Sequence, residues 1–285
     1  MRPRRRFVRA GRRALTGADG AASAARRAEV VRRLAEFGPY FALSVGARTD
    51  DAGFRPLREL YEVPGLLAEH VRQIGTLLRT DELRVAASVL HLGLAARLWS
   101  VALGGAVSCG AVPLLDPGRT QWRREAPGPV ELWDPELGFA AGDPSGIDGG
   151  LAEALHDAVV DRHLVPLARA VRAVTPVAEQ LLWGNAASAL AGTAQVLEQG
   201  LRPEAPAQAD AALRLARALQ ASGVLRGTGT WADPPPSFRR NSCCLYYRTP
   251  EGGTCGDCVF GDDPPRTRRT EPPTAGRAAL EEPSA

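Results

Sequence analysis

The sequence predicts a mainly helical α+β fold, a helical domain with a small central β element followed by a short cysteine-bearing C-terminal subdomain. Three observations predict it. Apolar residues recur at helical spacing through most of residues 22–221. The middle of the chain turns instead to short Val- and Trp-containing runs broken by Pro and Gly. Four of the five cysteines fall between residues 243 and 258. With 285 residues the chain can build one large domain or two small ones without disulfide staples, and 45% hydrophobic with 24% charged residues is ordinary for a globular chain.

Residues 1–21 read as a disordered Arg-rich tail. The first 20 carry seven Arg and one Asp, which is +6, so the net +3 of the whole chain leaves a mildly acidic body. That balance argues against a nucleic-acid binder with a basic face, and leaves the tail at most a weak contact with a membrane surface. Arg4-Arg5-Arg6-Phe7-Val8-Arg9 resembles a twin-arginine signal, but charge and glycine break the apolar run that should follow. No window reaches the roughly 18 apolar residues of a membrane span. The expected location is the cytoplasm, where thiols are usually reduced.

Helical spacing begins at Ala22 and stops at Gly38-Pro39. Leu57 to Tyr61 and Leu66 to Leu78 add two apolar stripes, separated by Pro64-Gly65. Thr80 is a candidate N-cap, with Asp81 and Glu82 suited to a helix N-terminus. The run Leu83 to Leu103 is apolar almost all round and predicts a buried central helix. Ala106 to Leu115 follows as a short apolar run. QWRRE and VELWD, either side of a Pro-Gly-Pro break within Gln121 to Asp134, predict a hairpin or small sheet, and Gly138 to Gly150 a loop. Leu151 to Val174 is amphipathic, with Pro166 set to kink or split it. Thr175-Pro176 predicts the start of a helix to about Gln199, and Ala207 to Ala221 a last one. The helical domain is thus expected over 22–226, a linker and cysteine segment over 227–263, with the triple proline of 234–236 stiffening the linker, and a disordered tail over 264–285.

The cysteine pattern is Cys243-Cys244, ten residues, Cys255-Gly-Asp-Cys258. Disulfides suit a reducing compartment poorly, and a Cys-x-x-Cys exchange pair expects a helix N-terminus in a βαβ unit, not a Gly-rich loop. Four soft thiolates point to a metal. Zinc accepts four cysteines but favours two Cys-x₂₋₄-Cys knuckles. Adjacent cysteines diverge and reach one tetrahedral ion awkwardly, whereas a binuclear iron–sulfur core offers two metal centres. Donor chemistry alone leaves both metals open.

The run FRRNSCCLYYR, Phe238 to Arg248, with the Cys255-Gly-Asp-Cys258 that follows, resembles the C-terminal cluster segment of the FhuF-like ferric-siderophore reductases. Leu182-Trp183-Gly184-Asn185 is similar to that family's mid-chain signature, and so is the Ala-Ser…Ala-Arg-Leu-Trp run from Ala87 to Trp99. The resemblance implies a 2Fe–2S cluster on Cys243, Cys244, Cys255 and Cys258. It also implies a one-electron reductase of ferric iron in imported siderophore complexes. With no dinucleotide fingerprint in the chain, electrons are expected from an external ferredoxin or flavin reductase. The rival expectation is a non-catalytic siderophore-binding or iron-sensing protein with a structural cluster, or a Cys₄ zinc site.

Neighbouring residues carry further expectations. Arg239, Arg240 and Arg248 are candidates to offset cluster charge and raise its potential. Gly252, Gly253 and Gly256 suit tight turns that aim N–H groups at sulfur. Tyr246 and Tyr247 read as packing residues, and Cys109 as a core cysteine outside the ligand set. Gly184 implies close packing in its helix, and Asn185 reads first as a packing residue, with a bond to the cluster segment or to substrate as the alternative. His70, His91, His156 and His163 are dispersed and read as core or surface residues, not as a metal site.

Overall fold

In the computed structural model, which describes residues 17–124, 128–140 and 150–261, two long helices form the spine. Helix α1 spans Gly17–Ala35, α2 Glu59–Glu62, α3 Pro64–Leu77 and α4 Leu83–Cys109. After the central strands come α5 (Gly150–Leu155), a π-helical stretch (His156–Leu164), α6 (Val165–Val174), α7 (Glu179–Leu201) and α8 (Pro206–Gln220). α4 packs most extensively on α7, which packs in turn on α8, while α3 and α1 cover other sides of α4.

α4 is buried nearly all round because its sequence presents no polar stripe to water. Gly110 ends it in a left-handed turn at φ 60°, a conformation suited to glycine, and its N–H caps the Gly105 carbonyl. Two bonds fix how α4 meets α7: the Trp99 indole N–H donates to the Ala186 carbonyl at 3.1 Å, and the Ser100 and Thr193 hydroxyls meet at 3.3 Å. Contrary to the expectation that no stretch reaches membrane-span length, α4 is, among the described residues, one helix long and apolar enough to cross a membrane, and 78% of its apolar window is covered by the rest of the fold, as in a core helix.

The central β element is a four-stranded sheet ordered β1 (Ser44–Val45), β5 (Glu131–Asp134), β4 (Gln121–Arg123), β2 (Arg55–Pro56), with β1 parallel to β5 and the other pairs antiparallel. Trp122 pairs with Leu132, so QWRRE and VELWD do form the expected hairpin. A second small sheet pairs β3 (Val112–Leu114) with β6 (Gly138–Ala140), and a C-terminal hairpin pairs β7 (Gly229–Ala232) with β8 (Ser237–Arg240).

The structure moves several expected boundaries. α1 opens at Gly17, inside the stretch read as tail; alanine-rich sequence propagates helix readily. α4 continues through Ala106–Cys109, so only the end of the Ala106–Leu115 run becomes strand. Gly138 to Ala140 is strand and not loop, because Val112 to Leu114 supplies a partner. Ahead of Pro166 the helix widens into π-helix, which absorbs the missing N–H without breaking the rod. Thr175 closes α6, and α7 starts only at Glu179. Thr80 accepts from the Glu82 N–H at 3.3 Å just outside α4. The segment read as a linker is the β7–β8 hairpin, its three prolines lying in the turn where no ladder N–H is required. The expected tail over 264–285 lies outside the described residues.

Arg97 ties the sheet to this spine. It is 2% exposed, and its guanidinium donates to the carbonyls of Val130 (2.9 Å), Pro39 (3.3 Å), Ala42 (2.6 Å) and Tyr40. Burial pushes its pKa down to about 10, so it stays charged at neutral pH. Arg97→Leu orphans all four acceptors, and we expect it to cost about 3 kcal/mol in urea unfolding; Arg32→Leu, on the exposed face of α1, should cost less than about 0.5 kcal/mol.

Candidate metal centre

The β7–β8 hairpin delivers the cysteine segment to the helical core. Along β8 side chains alternate, so Phe238 and Arg240 face inward while Ser237 and Arg239 face solvent. The Arg240 N–H donates to the Asp257 carbonyl at 3.1 Å, which brings the second cysteine pair alongside the end of β8. The Cys258 N–H closes a turn on the Cys255 carbonyl at 3.0 Å.

Leu245 reverses the chain after the adjacent pair, in a left-handed conformation (φ 69°) uncommon for a non-glycine residue. Its N–H points at the Cys243 sulfur, 3.2 Å away. Gly252 crosses the carbonyl of Tyr246 so closely that a Cβ would lie 2.0 Å from that oxygen. Gly253 and Gly256 meet no such crowding, so only Gly252 of the three is required by contact.

Cys244 and Cys258 are buried, Cys243 and Cys255 half-buried, and the Cys244 and Cys255 sulfurs are 3.9 Å apart. Contact with the Cys243 and Cys255 thiols holds the pKa of Cys244 below the ordinary thiol range; the Tyr246 N–H and the charge of Arg240 push the same way. The same contact raises Cys243 and Cys255 in turn, and Cys258 lies near enough to add to the rise at Cys243. Among the described residues no three His, Cys, Asp or Glu side chains converge tightly enough to hold a single ion.

Beneath the cysteines lies a hub on α4 and α7. The Asn185 carboxamide N–H₂ donates to the Ser88 carbonyl (2.9 Å) and hydroxyl oxygen (3.0 Å), and the Ser88 hydroxyl donates to the Cys244 carbonyl at 2.7 Å. The Asn185 oxygen accepts from Arg240 Nη2. Gly184 allows this approach, because a Cβ there would sit 2.0 Å from the Ser242 hydroxyl oxygen. Arg240 is 1% exposed, and its Nε and Nη1 have no partner among the described residues. His91, one turn beyond Ser88, is fully buried with both ring nitrogens unpartnered. Burial, and then the charge of Arg240, push its pKa down to about 3, so it is neutral.

Arg239 and Arg248 are placed differently. Arg239 is exposed, and Arg248 grips Glu82 at the start of α4, with Nη2 to Oε1 at 2.7 Å. Its charge is thus matched by a carboxylate, and it anchors the segment. Tyr247 packs edge-on against Phe260, a packing role. Cys109 closes the far end of α4, about 30 Å along the axis from Ser88. His156 faces Gly223 and Asp161, whereas His163 bonds Tyr61 (2.8 Å) and the Leu115 carbonyl (2.5 Å), so the two share no site. His70 stacks edge-on against Trp122.

Four thiols, amide N–H groups aimed at sulfur, and a buried cation with two unmet donors fit a multiply negative iron–sulfur core. Residues 240–260 match the family model of the FhuF 2Fe-2S C-terminal domain, and no curated protein matches the chain. The chain is accordingly an iron–sulfur protein with a 2Fe–2S cofactor. Its C-terminal segment is FhuF-like, and the match spans all four clustered cysteines. His91 is buried, as one of the two readings offered for it had it, while the bond from Ser88 to the Cys244 carbonyl was not foreseen, although Ser88 lies within the Ala87–Trp99 run.

Gly184 supplies a graded test. Gly184→Ala asks only that the Ser242 hydroxyl rotate, whereas Gly184→Leu fills the space the segment occupies. We expect iron and sulfide content to fall less than twofold for the first and at least about fivefold for the second, with helical circular dichroism retained; a loss of this kind corresponds to about 1 kcal/mol or more against docking.

Proposed function

We propose that this protein is a cytoplasmic ferric-siderophore reductase, with Cys243, Cys244, Cys255 and Cys258 as the ligands of its 2Fe–2S cluster. The observation that carries the reading is the presence of four thiols in one FhuF-type segment, with Cys244 and Cys255 sulfurs 3.9 Å apart, near a buried, incompletely partnered guanidinium. The free thiols accord with a reducing compartment.

When bound, the 2Fe–2S group supplies one electron at a time, the amount that converts Fe³⁺ to Fe²⁺. Siderophore oxygens are hard and anionic and hold Fe³⁺ far more tightly than Fe²⁺, so a single electron releases the metal. The chain's own residues do the rest. Cys243 and Cys255, half-exposed, present the sulfur edge to a partner, while Cys244 and Cys258 bury the other side. The Leu245 and Tyr246 N–H groups and the Arg240 guanidinium meet negative charge there. The electron itself comes from an external ferredoxin or flavin reductase.

Anaerobic purification should yield about two iron and two sulfide per chain with visible absorption, and the reduced protein should convert ferric siderophore to ferrous iron stoichiometrically. Zinc without colour sinks the cluster assignment; a reducible cluster inert toward every ferric complex favours an iron-sensing or siderophore-binding role. Ser at 243, 244, 255 or 258 should cut cluster content by about tenfold, whereas Cys109→Ser should leave it unchanged.

The arginines separate by potential. A cation beside the cluster stabilises its reduced, more negative form, so Arg240→Gln should lower the midpoint potential and Arg240→Lys should recover part of the loss. Arg239→Gln and Arg248→Gln should shift it far less, since one is solvated and the other neutralised by Glu82. Spectroelectrochemical titration at fixed pH reads all four.

A further inference from the structure

The outer side of α6 carries arginine beside two hollows. The first, ≈ 450 Å³, is lined by Arg58, Tyr61 and Glu62 across from Arg162 and Arg169, with Pro117 at its edge. The second, ≈ 680 Å³, lies between Arg169 and Arg172 and the turn at Pro176, Val177 and Ala178. They share Arg169 and Ala173, so they form one groove along the helix.

Four arginines line this groove, and two of them are matched. Arg162 pairs with Asp157 at 2.9 Å and Arg172 with Glu179 at 2.6 Å. Arg58 and Arg169 are exposed and have no carboxylate partner among the described residues. Glu62 is the one acid in the lining itself. The balance is cationic, and two guanidinium forks on opposite walls are suited to oxygen anions held bidentately. Proline, alanine and valine form much of the remaining wall, which suits an amphipathic ligand.

The second hollow reaches the turn that precedes α7. Ala178 immediately precedes α7, and the carbonyl of Gln180, two residues on, accepts from the Ser242 hydroxyl next to Cys243 at 3.4 Å. We propose that the α6 groove seats a ferric complex that carries net negative charge, with carboxylate or catecholate oxygens on Arg58 and Arg169, on the helix that leads through the turn at Val174 into α7. The proposal rests on the reductase reading and narrows its substrate class to anionic chelates.

Gallium(III) chelates test it without electron transfer. Titration calorimetry on the cluster-loaded full chain would use a triply negative tris-catecholate gallium complex, a neutral tris-hydroxamate gallium complex, and flavin mononucleotide. The anionic chelate should bind, weakening about tenfold for Arg58→Gln or Arg169→Gln and about a hundredfold for the double variant. The neutral chelate should change less than threefold, and the visible spectrum and potential should not move. Equal binding of the anionic chelate to wild type and double variant overturns the proposal. So does the absence of gallium-chelate binding, or arginine-dependent binding of the flavin alone. Ferric assays keep the two readings apart. Arginine-dependent gallium binding with no ferric reduction leaves the groove standing and removes the reductase reading. Reduction of the anionic ferric chelate at an unchanged kcat/KM in the double variant removes the groove and leaves the reductase.

Discussion

A buried carboxamide makes the deepest attachment of the cysteine segment to the helical core. Asn185 uses its N–H₂ on Ser88 of α4 and its oxygen on Arg240 of β8, while Ser88 passes the connection to the Cys244 backbone. Each bond lies where water is excluded, so leaving any of these groups unpaired is costly. The α4–α7 contact, the largest in the fold, fixes the distance between Ser88 and Asn185. The cysteine segment has little regular structure beyond its hairpin and one short turn, so it inherits order from this helix pair.

Charge follows from the same arrangement. A guanidinium with two unmet donors and a neutral histidine with two unpartnered nitrogens are unfavourable in an apolar interior. Both lie on the cysteine side of α4, where an anionic group can offset the buried positive charge. The alternation of β8 sorts adjacent arginines into opposite roles, placing Arg240 inside and Arg239 in water. Arg248 spends its charge on Glu82 and ties the far end of the segment to the first turn of α4. Together with the exposed Arg79–Glu251 pair, these contacts surround the cysteines with attachments of unequal depth.

The candidate metal centre and the arginine-lined groove are built on different helices. One faces the hub on α4 and α7, while the other follows α6, and the short turn from Val174 to Glu179 joins them. Arg162 in the π-helical stretch and Arg169 in α6 line the same hollow across Pro166.

Much of the fold was legible locally. An apolar run without proline had to make a buried helix at α4, and alternating residues around a Pro-Gly-Pro break had to make the β4–β5 hairpin. The metal site was legible as four thiols at an unusual spacing, and Gly184-Asn185 as a helix position needing an explanation. Boundaries moved wherever a distant partner decided them: Gly138–Ala140 became strand through Val112–Leu114, and Gly229–Ala232 through Ser237–Arg240. By itself the sequence determined ligand chemistry and helix periodicity, because both depend on neighbours along the chain. Only the tertiary structure decided which arginine lies buried, that Ser88 and His91 belong to the centre, and why Gly184 is glycine. Those facts rest on contacts such as Ser88 with Cys244, 156 residues apart, and no local pattern records where two distant segments will meet.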